Sequence, residues 1–226
     1  MGRLRILLIR PRPPKETIGL QHVMICEPLE LEYLAGNIDK NTVSVKIIDM
    51  ILEKKPIEFF INKYKPHIVG ITAYITHVGE VKEMAKTVKS ISKKIVTVVG
   101  GVHAEVVPED FESKYIDYII CSKPIETFLK IIDKVKSKKD IEEINGTYVK
   151  GKKHIRKSSF NCLPPDRDAV KGYRKKYYYM FHNPCALIKT SLGCPYTCNF
   201  CFCKEVTGGK YFARKLSEVI AELESI

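Results

Sequence analysis

Residues 68–99, which read IVGITAYITHVGEVKEMAKTVKSISKKIVTVV, decide the fold. Two short apolar segments rich in β-branched residues, 68–73 and 95–99, flank the amphipathic stretch 78–92. The apolar segments are predicted strands, and the stretch between them is a predicted helix. Strands that are apolar on both faces and alternate with helices are typical of a parallel sheet covered on both sides. These residues therefore predict a doubly wound α/β domain.

The same alternation extends in both directions from this unit. Further strands are predicted at residues 4–9, 43–48 and 115–121, and further helices at residues 28–38, 56–64 and 125–135. With right-handed crossovers, these elements give a flavodoxin-like domain with a five-stranded parallel sheet over residues 1–140. Ligands of such sheets bind at the carboxyl ends of the strands. We therefore expect a site where the loops 10–27, 73–77, 100–108 and 121–124 converge.

The pattern changes after residue 140. Residues 144–150 and 153–157 flank Gly151 and predict a small hairpin, and the segment 141–183 as a whole is predicted to be a hairpin and a basic linker. Residues 184–226 predict a strand at 186–190, a cysteine-bearing loop at 193–209 and a helix at 216–225. Because one strand and one helix cannot bury each other's apolar faces, we expect a second domain that begins here and is not completed within the chain.

The composition excludes several broad classes of protein. Of the 226 residues, 45% are hydrophobic and 28% are charged, which is the balance of a soluble globular protein rather than a disordered one. The longest apolar runs fall far short of the ~20 residues that a membrane helix needs. The apolar run before Arg10 is also too short for a signal-peptide core. We therefore expect a cytoplasmic protein without a membrane partner.

The net charge is +12, and most of the basic excess lies between Lys150 and Lys176. In that stretch the basic residues face only two acidic residues, Asp166 and Asp168. A nucleic-acid patch is one interpretation, but a lysine-rich solvated linker is the simpler one and the one that we favour. No nucleic-acid partner is therefore expected.

The eight cysteines fall into two groups, four isolated ones at Cys26, Cys121, Cys162 and Cys185 and four crowded ones at Cys194, Cys198, Cys201 and Cys203. In a cytoplasmic chain such crowding favours metal chemistry over disulfides. The spacing Cys-x3-Cys-x2-Cys could hold three irons of a 4Fe-4S cluster and leave the fourth iron open. Zinc is the alternative, but structural zinc normally takes two cysteine pairs about 12 or more residues apart. We therefore predict a cluster bound by the first three crowded cysteines, with Cys203 as a bystander.

Residues 190–201, TSLGCPYTCNFC, closely resemble the signature of radical S-adenosylmethionine enzymes, including the aromatic residue Phe200. Residues 211–219 resemble the segment that opens the first barrel helix of these enzymes. The resemblance implies that Cys194, Cys198 and Cys201 ligate the cluster and that Phe200 lies in the cofactor site. It also implies that the open iron chelates S-adenosylmethionine, which is cleaved to a 5′-deoxyadenosyl radical when an electron donor such as flavodoxin or ferredoxin reduces the cluster.

The first domain resembles the cobalamin-binding domain of cobalamin-dependent radical S-adenosylmethionine enzymes, in residues 5–11, 27–35, 68–73 and 98–104. Paired glycines let backbone approach a bulky ligand, and hydroxyls at strand ends can bind it. The resemblance implies that cobalamin contacts Thr72, Ala73, Thr76, Gly100, Gly101 and His103.

Two departures from the family pattern leave weakened or lost cobalamin binding open. The Asp-x-His-x-x-Gly segment of other cobalamin domains is absent, so no histidine is expected to ligate cobalt. Residues 121–126 replace the Gly-Glu-Gly-Glu that is common after the fifth strand.

The resemblance implies an enzyme in which methylcobalamin delivers a methyl group to a radical of an unidentified small-molecule substrate, although related enzymes also carry out cyclisation and ring contraction. We expect the chain by itself to be inactive, because the family's remaining S-adenosylmethionine contacts come from later barrel strands. A radical tRNA-modifying methylthiotransferase is disfavoured, since only Cys26 and Cys121 are present where three further cluster cysteines are needed. A non-catalytic zinc and nucleic-acid module or a cobalamin carrier is the remaining alternative.

Overall fold

The computed structural model describes residues 3–14, 16–17, 19–137, 143–152 and 163–226. The strands are β1 Leu4–Arg10, β2 Met24–Ile25, β3 Val43–Asp49, β4 Ile68–Thr72, β5 Val96–Gly100, β6 Tyr118–Ile119, β7 Tyr178–Tyr179, β8 Ser191–Gly193 and β9 Tyr211–Ala213. The α-helices are α1 Leu29–Gly36, α2 Ile57–Tyr64, α3 Val78–Ile91, α4 Val102–Val106, α5 Pro124–Lys136, α6 Cys203–Thr207 and α7 Leu216–Glu224. Within the described ranges, no helix is both long and apolar enough to span a membrane.

The main sheet has five strands in the order β3-β1-β4-β5-β6, and all neighbouring pairs are parallel. This order is that of a doubly wound, flavodoxin-like domain. In register, Ile6 of β1 lies opposite Val45 of β3 on one side and Ile68 of β4 on the other. The predicted fold class is confirmed, and the predicted strands at 4–9, 43–48, 68–73 and 95–99 match the observed ones to within one residue at each end.

Side chains alternate between the two faces of the sheet, and each face has its own apolar core. Ile6 and Leu8 of β1 pack on one face with Phe128 of α5. Leu7 and Ile9 pack on the other face in the core that also contains residues of α2 and α3. Burial on both faces explains why the central strands β1 and β4 are nearly continuous apolar runs, whereas the edge strand β3 carries Ser44 and Lys46.

The fifth strand is shorter than the predicted 115–121. Beyond β6, Ile120 forms an isolated antiparallel bridge with Thr147, and the backbone amides of Cys121 and Ser122 both donate to the carbonyl of Gly146. Residues 144–150 therefore form a turn that covers the end of this edge strand. The second arm of the predicted hairpin, 153–157, lies outside the described residues.

The basic segment is only partly the solvated linker that we predicted. Lys171 and Lys175 are exposed, but Val170 and Tyr177 are completely buried in the core on the α1 side of the sheet. The hydroxyl of Tyr177 donates to Asp49 over 3.2 Å. The lysines of this segment are exposed as predicted, but the expectation of a solvated linker is wrong for Arg167, Val170 and Tyr177, whose burial attaches the segment to the first domain.

The predicted strand at 186–190 is also wrong. The three-residue strand β8 begins at Ser191, directly after the predicted strand would have ended, and pairs antiparallel with β9. The carbonyls of Leu187 and Lys189 accept hydrogen bonds from the guanidinium groups of Arg167 and Arg214 rather than from a neighbouring strand. The carbonyl of Thr190 accepts one from the backbone amide of Arg214. The predicted helix at 216–225 is observed as α7, whereas α6 forms within the stretch that was predicted to be a loop.

Candidate functional site

A cavity of about 300 Å³ opens at the carboxyl ends of β4 and β5, where the fold predicts a ligand site. One wall is the sheet, and the other walls are α1, α4 and the start of α5. Residues 184–226, which we call the second region, contribute Lys189, Leu192 and Val206. The lining is mainly apolar and includes Leu8, Val98 and Phe128. The cavity therefore lies between the flavodoxin-like domain and the segment that carries the cysteines.

Two glycines of the central strands leave room at the cavity. A Cβ atom on Gly100 would meet no atom nearer than the Ile120 Cβ at 3.9 Å, so the space beside it is open. A Cβ on Gly70 would instead come within 2.9 Å of Leu8 Cδ2. Gly100 is thus the position at which a larger side chain would project into free space rather than into the core.

Gly101 serves a different purpose, because its backbone requires a positive φ. Its φ is +102°, and a Cβ there would lie 2.7 Å from the Ala73 nitrogen and 2.9 Å from Thr72 Oγ1. Only glycine combines this backbone conformation with such a close approach of two strand ends. Of the cobalamin contacts implied by the sequence, Thr72, Gly100 and Gly101 line the cavity.

The other implied contacts lie outside the cavity lining. Ala73 is buried and donates its amide to the Gly100 carbonyl over 2.8 Å, whereas Thr76 is exposed. His103 is buried in α4, with Nε2 2.7 Å from an Asp110 carboxylate oxygen and its ring edge-to-face with Phe111. Phe200 is 94% exposed on the cysteine loop. Their contacts with a cofactor stay predictions.

Several polar residues that sequence reasoning missed also line the cavity, among them Glu30, Tyr74 and Lys189. Thr72 Oγ1 donates to Glu30 over 3.4 Å, and the Glu30 charge together with burial raises the pKa of Tyr74 to about 12. A local signal existed for Glu30, because it shares one helical face with Tyr33 and Leu34 at spacings of three and four residues. No local signal pointed to Lys189, since its position depends on contacts distant in sequence.

Those contacts form a buried ionic network between α1, the linker and α7. Arg167 Nη1 lies 2.6 Å from Glu27 and 3.2 Å from Glu32, and its other terminal nitrogen pairs with Glu222. Arg214 pairs with the second oxygen of Glu222. Burial, and next the charge of Glu27, raise the pKa of Glu32 to about 8. This network fixes the second region against the domain that forms the cavity.

The crowded cysteines lie on and next to the surface loop between β8 and α6. Within the described ranges, no three His, Cys, Asp or Glu side chains converge as a metal site. Hydrogen bonding to Cys201 and slight burial raise the pKa of Cys203. Cys198 is exposed. Three to four thiols on one accessible loop have the donor chemistry for iron, and the ligand set Cys194, Cys198 and Cys201 stays a prediction.

Comparison with known proteins places these features in context. The family model described as the B12 binding domain matches residues 17–132. An uncharacterized methyltransferase of Pyrococcus horikoshii is 28% identical over 99% of this chain and 50% of its own length. The hopanoid C-3 methylase of Methylococcus capsulatus is 25% identical over 99% of this chain and 44% of its own length.

Solved structures share the fold. The structure of the cobalamin-dependent S-adenosylmethionine radical enzyme OxsB superposes with a TM-score of 0.69 at 17% identity, covering 98% of this chain and 31% of that one. The alignment therefore extends through the cysteine region as well as the five-stranded domain. The chain spans half or less of the length of the proteins that it matches.

Proposed function

This chain belongs to the B12-binding domain family, and from that premise we propose that it binds cobalamin in the cavity beside Gly100 and uses it in methyl transfer. The chain is related to cobalamin-dependent radical S-adenosylmethionine proteins, and the relatives compared include a methyltransferase and a methylase. The observation that carries the proposal is the cavity itself, which lies at the carboxyl ends of the strands of a matched B12-binding fold.

The cavity suits one part of the cofactor. Cobalamin is larger than about 300 Å³, so we assign the cavity to the nucleotide tail, whose flat aromatic base matches the apolar walls formed by Leu8, Val98 and Phe128. Bound cobalamin supplies a cobalt-bound methyl group for transfer. The protein side contributes a dry apolar wall and a few polar groups that fix the orientation of the tail.

The two departures from the family pattern fit this assignment. The altered loop after the fifth strand still forms part of the cavity, because Pro124 and Ile125 line it and its backbone is held by Gly146. The histidine nearest in sequence to the site, His103, is paired with Asp110 and lies outside the lining. The described residues that line the cavity include no histidine.

The second cofactor that we propose is a 4Fe-4S cluster bound by Cys194, Cys198 and Cys201. The cluster supplies electrons, delivered by a partner such as flavodoxin or ferredoxin, to S-adenosylmethionine bound next to it. The short distance in sequence between Lys189 at the cavity and Cys194 supports a single reaction chamber between the two cofactors. The substrate that we propose is a small molecule.

Filling the cavity tests the cobalamin assignment. The variant Gly100→Leu places a side chain in open space at the cavity and should weaken cobalamin binding at least about tenfold, measured by equilibrium dialysis with absorbance detection. The matched control is Gly79→Leu on α3, where a Cβ meets nothing within 4 Å and which lies outside the cavity lining. Failure of the folded wild-type protein to bind cobalamin would refute the proposal, as would equal affinities of the wild type and Gly100→Leu.

A further inference from the structure

The charged groups at the cavity are unevenly divided between signs. Three charged residues line it, Glu30, Glu105 and Lys189, so Lys189 is the only cation among the described lining residues. No described carboxylate lies within ion-pairing distance of its ammonium group. A half-buried lysine without an anionic partner, at the wall of a ligand cavity, is available to a ligand.

The position of Lys189 is fixed by the fold. Its carbonyl accepts a hydrogen bond of 2.9 Å from Arg214, whose backbone amide donates to the carbonyl of Thr190 over 2.9 Å. Its ammonium nitrogen lies 5.8 Å from the centre of the Tyr33 ring, at the outer limit of a cation–π contact. Arg214 in turn is paired with the buried Glu222. The cation is therefore held at the cavity by the same network that attaches the second region.

Cobalamin has a polar pattern that matches this arrangement. The corrin ring carries primary amides, which donate hydrogen bonds, and the nucleotide tail carries one phosphodiester, which is an anion. Carboxylates such as Glu30 accept from amides and repel a phosphodiester, whereas an ammonium group attracts it. A cavity that takes the tail therefore offers the phosphodiester one favourable partner.

We infer that Lys189 binds the phosphodiester of the cobalamin tail and so selects complete cobalamins over corrinoids that lack the nucleotide. This inference rests on the proposed function. Lys189 lies outside the matched B12-binding segment 17–132, so the selectivity would come from the second region rather than from the flavodoxin-like domain.

Binding of two corrinoids to charge variants tests the inference. Cobinamide lacks the phosphodiester, ribose and base of cobalamin. Lys189→Met keeps most of the length of the side chain and removes its charge, and should weaken cobalamin binding about 5- to 10-fold, the range for a charge-assisted contact that is partly exposed. Its affinity for cobinamide should stay within about twofold of the wild type. Lys189→Arg should keep the preference for cobalamin, and the matched control Lys175→Met, on the exposed linker, should change neither affinity.

Pseudocobalamin, which keeps the phosphodiester but carries adenine as its base, separates the anion from the base. Loss of affinity for both nucleotide-containing corrinoids in Lys189→Met, with cobinamide unchanged, supports the inference. Equal losses for cobalamin and cobinamide would overturn it, as would an unchanged preference for cobalamin. If the wild-type protein binds no cobalamin at all, the proposed function fails first; if it binds cobalamin and Lys189→Met keeps the full preference, only this inference fails.

Discussion

Every residue of the central strand β4 is buried, whereas in residues 184–226 only Thr207, Val219 and Glu222 are. The five-stranded domain is held by apolar side chains on both faces of a hydrogen-bonded sheet. The second region has a sheet of two three-residue strands, and buried ion pairs of Arg167 and Arg214 hold it in place. The apolar packing of the five-stranded domain follows from the local periodicity of the sequence. The ion pairs of the second region join residues that are far apart in sequence.

Apolar packing and buried ion pairs also differ in how much free energy they contribute to stability. Each fully buried Leu or Ile contributes roughly 1.5–3 kcal/mol by removal of apolar surface from water, and many such residues add up. A buried ion pair contributes little net free energy, because desolvation offsets the attraction between the charges. Removing one partner is costly all the same, since the other charge is left buried without compensation. The second region should therefore be the more sensitive to a single substitution.

The largest expected effect concerns the chemistry of the second region. Replacing Cys194, Cys198 or Cys201 with Ala should abolish iron and sulfide binding after anaerobic reconstitution, because each removes one of three thiolate ligands. Metal analysis and the broad visible absorption of thiolate-bound iron provide the measurement. The domain fold should survive in all three variants, since these residues lie on a surface loop away from the sheet.

Cys203→Ala is the sharpest control for this prediction, because Cys203 lies beside Cys201 and shares its surroundings. We expect it to keep the cluster, as should Cys185→Ala outside the loop. Equal iron loss in Cys203→Ala would contradict the three-ligand assignment. One zinc ion per chain in place of iron and sulfide would favour a structural metal site instead.

The next largest effect concerns the ionic network. Arg167→Met should lower the free energy of unfolding by about 3–5 kcal/mol, because Glu27 is left buried without a paired cation and Glu222 keeps only Arg214. Urea denaturation followed by circular dichroism measures the change. Lys171→Met is the matched control, because Lys171 directly follows the short 3-10 helix Arg167–Val170 but is exposed.

Limited proteolysis of Arg167→Met sharpens the comparison between the two regions. Cleavage near residues 187–190 should become faster, since Leu187 loses the hydrogen bond that its carbonyl accepts from Arg167. The five-stranded domain should remain resistant below the unfolding transition. A destabilisation of less than about 1 kcal/mol, with no new cleavage, would show that the network does not hold the second region.

The same difference between local and long-range contacts decides how much of the structure can be predicted from the sequence. Strands β1, β4 and β5 were predicted because each is rich in apolar residues that can be buried on both faces, and β3 because it is rich in β-branched residues, although Ser44 and Lys46 interrupt it. The fifth strand was predicted too long, because Ile120 and Cys121 are apolar, yet Ile120 forms an antiparallel bridge with Thr147 and the Cys121 amide donates to the carbonyl of Gly146. Apolar pattern alone does not identify the partner of a strand.

The second region and the linker show the limits more clearly. Val170 and Tyr177 are buried, but the lysines around them in sequence led to the prediction of a solvated linker. The cysteine spacing predicts a chemistry without predicting how the thiols are arranged. The backbone of Lys189 is fixed at the cavity by Arg214, which Glu222 holds in turn, and these three residues are too far apart in sequence to form a local pattern. Gly100 and Gly101, in contrast, were found because the end of a buried strand marks the ligand edge of the sheet.

The smallest expected effect is a dependence of stability on pH that arises in the ionic network. Glu32 faces Glu27 on its own side of the network and Arg167 and Arg174 on the linker. Burial and the Glu27 charge raise the pKa of Glu32 to about 8, from 4.5 for an unperturbed carboxyl. The folded protein therefore holds a proton that the unfolded chain has released, and this contribution to stability is lost as the pH rises towards and through 8. For one proton the slope is at most about 1.4 kcal/mol per pH unit.

Glu32→Gln replaces the protonated carboxyl with a neutral amide of the same shape and should flatten the fall in unfolding free energy between pH 7 and pH 9. Burial lowers the pKa of His67 and His77, so these residues act below that window and with the opposite sign. Urea titrations at half-unit pH steps, with Glu83→Gln on the exposed face of α3 as the control, measure the difference in slope. If the wild type and Glu32→Gln lose stability in parallel above pH 7, then Glu32 is ionised in the folded protein. The network would in that case contain three charged carboxylates against two guanidinium groups at both pH 7 and pH 9, and Arg167→Met should be equally damaging at the two pH values.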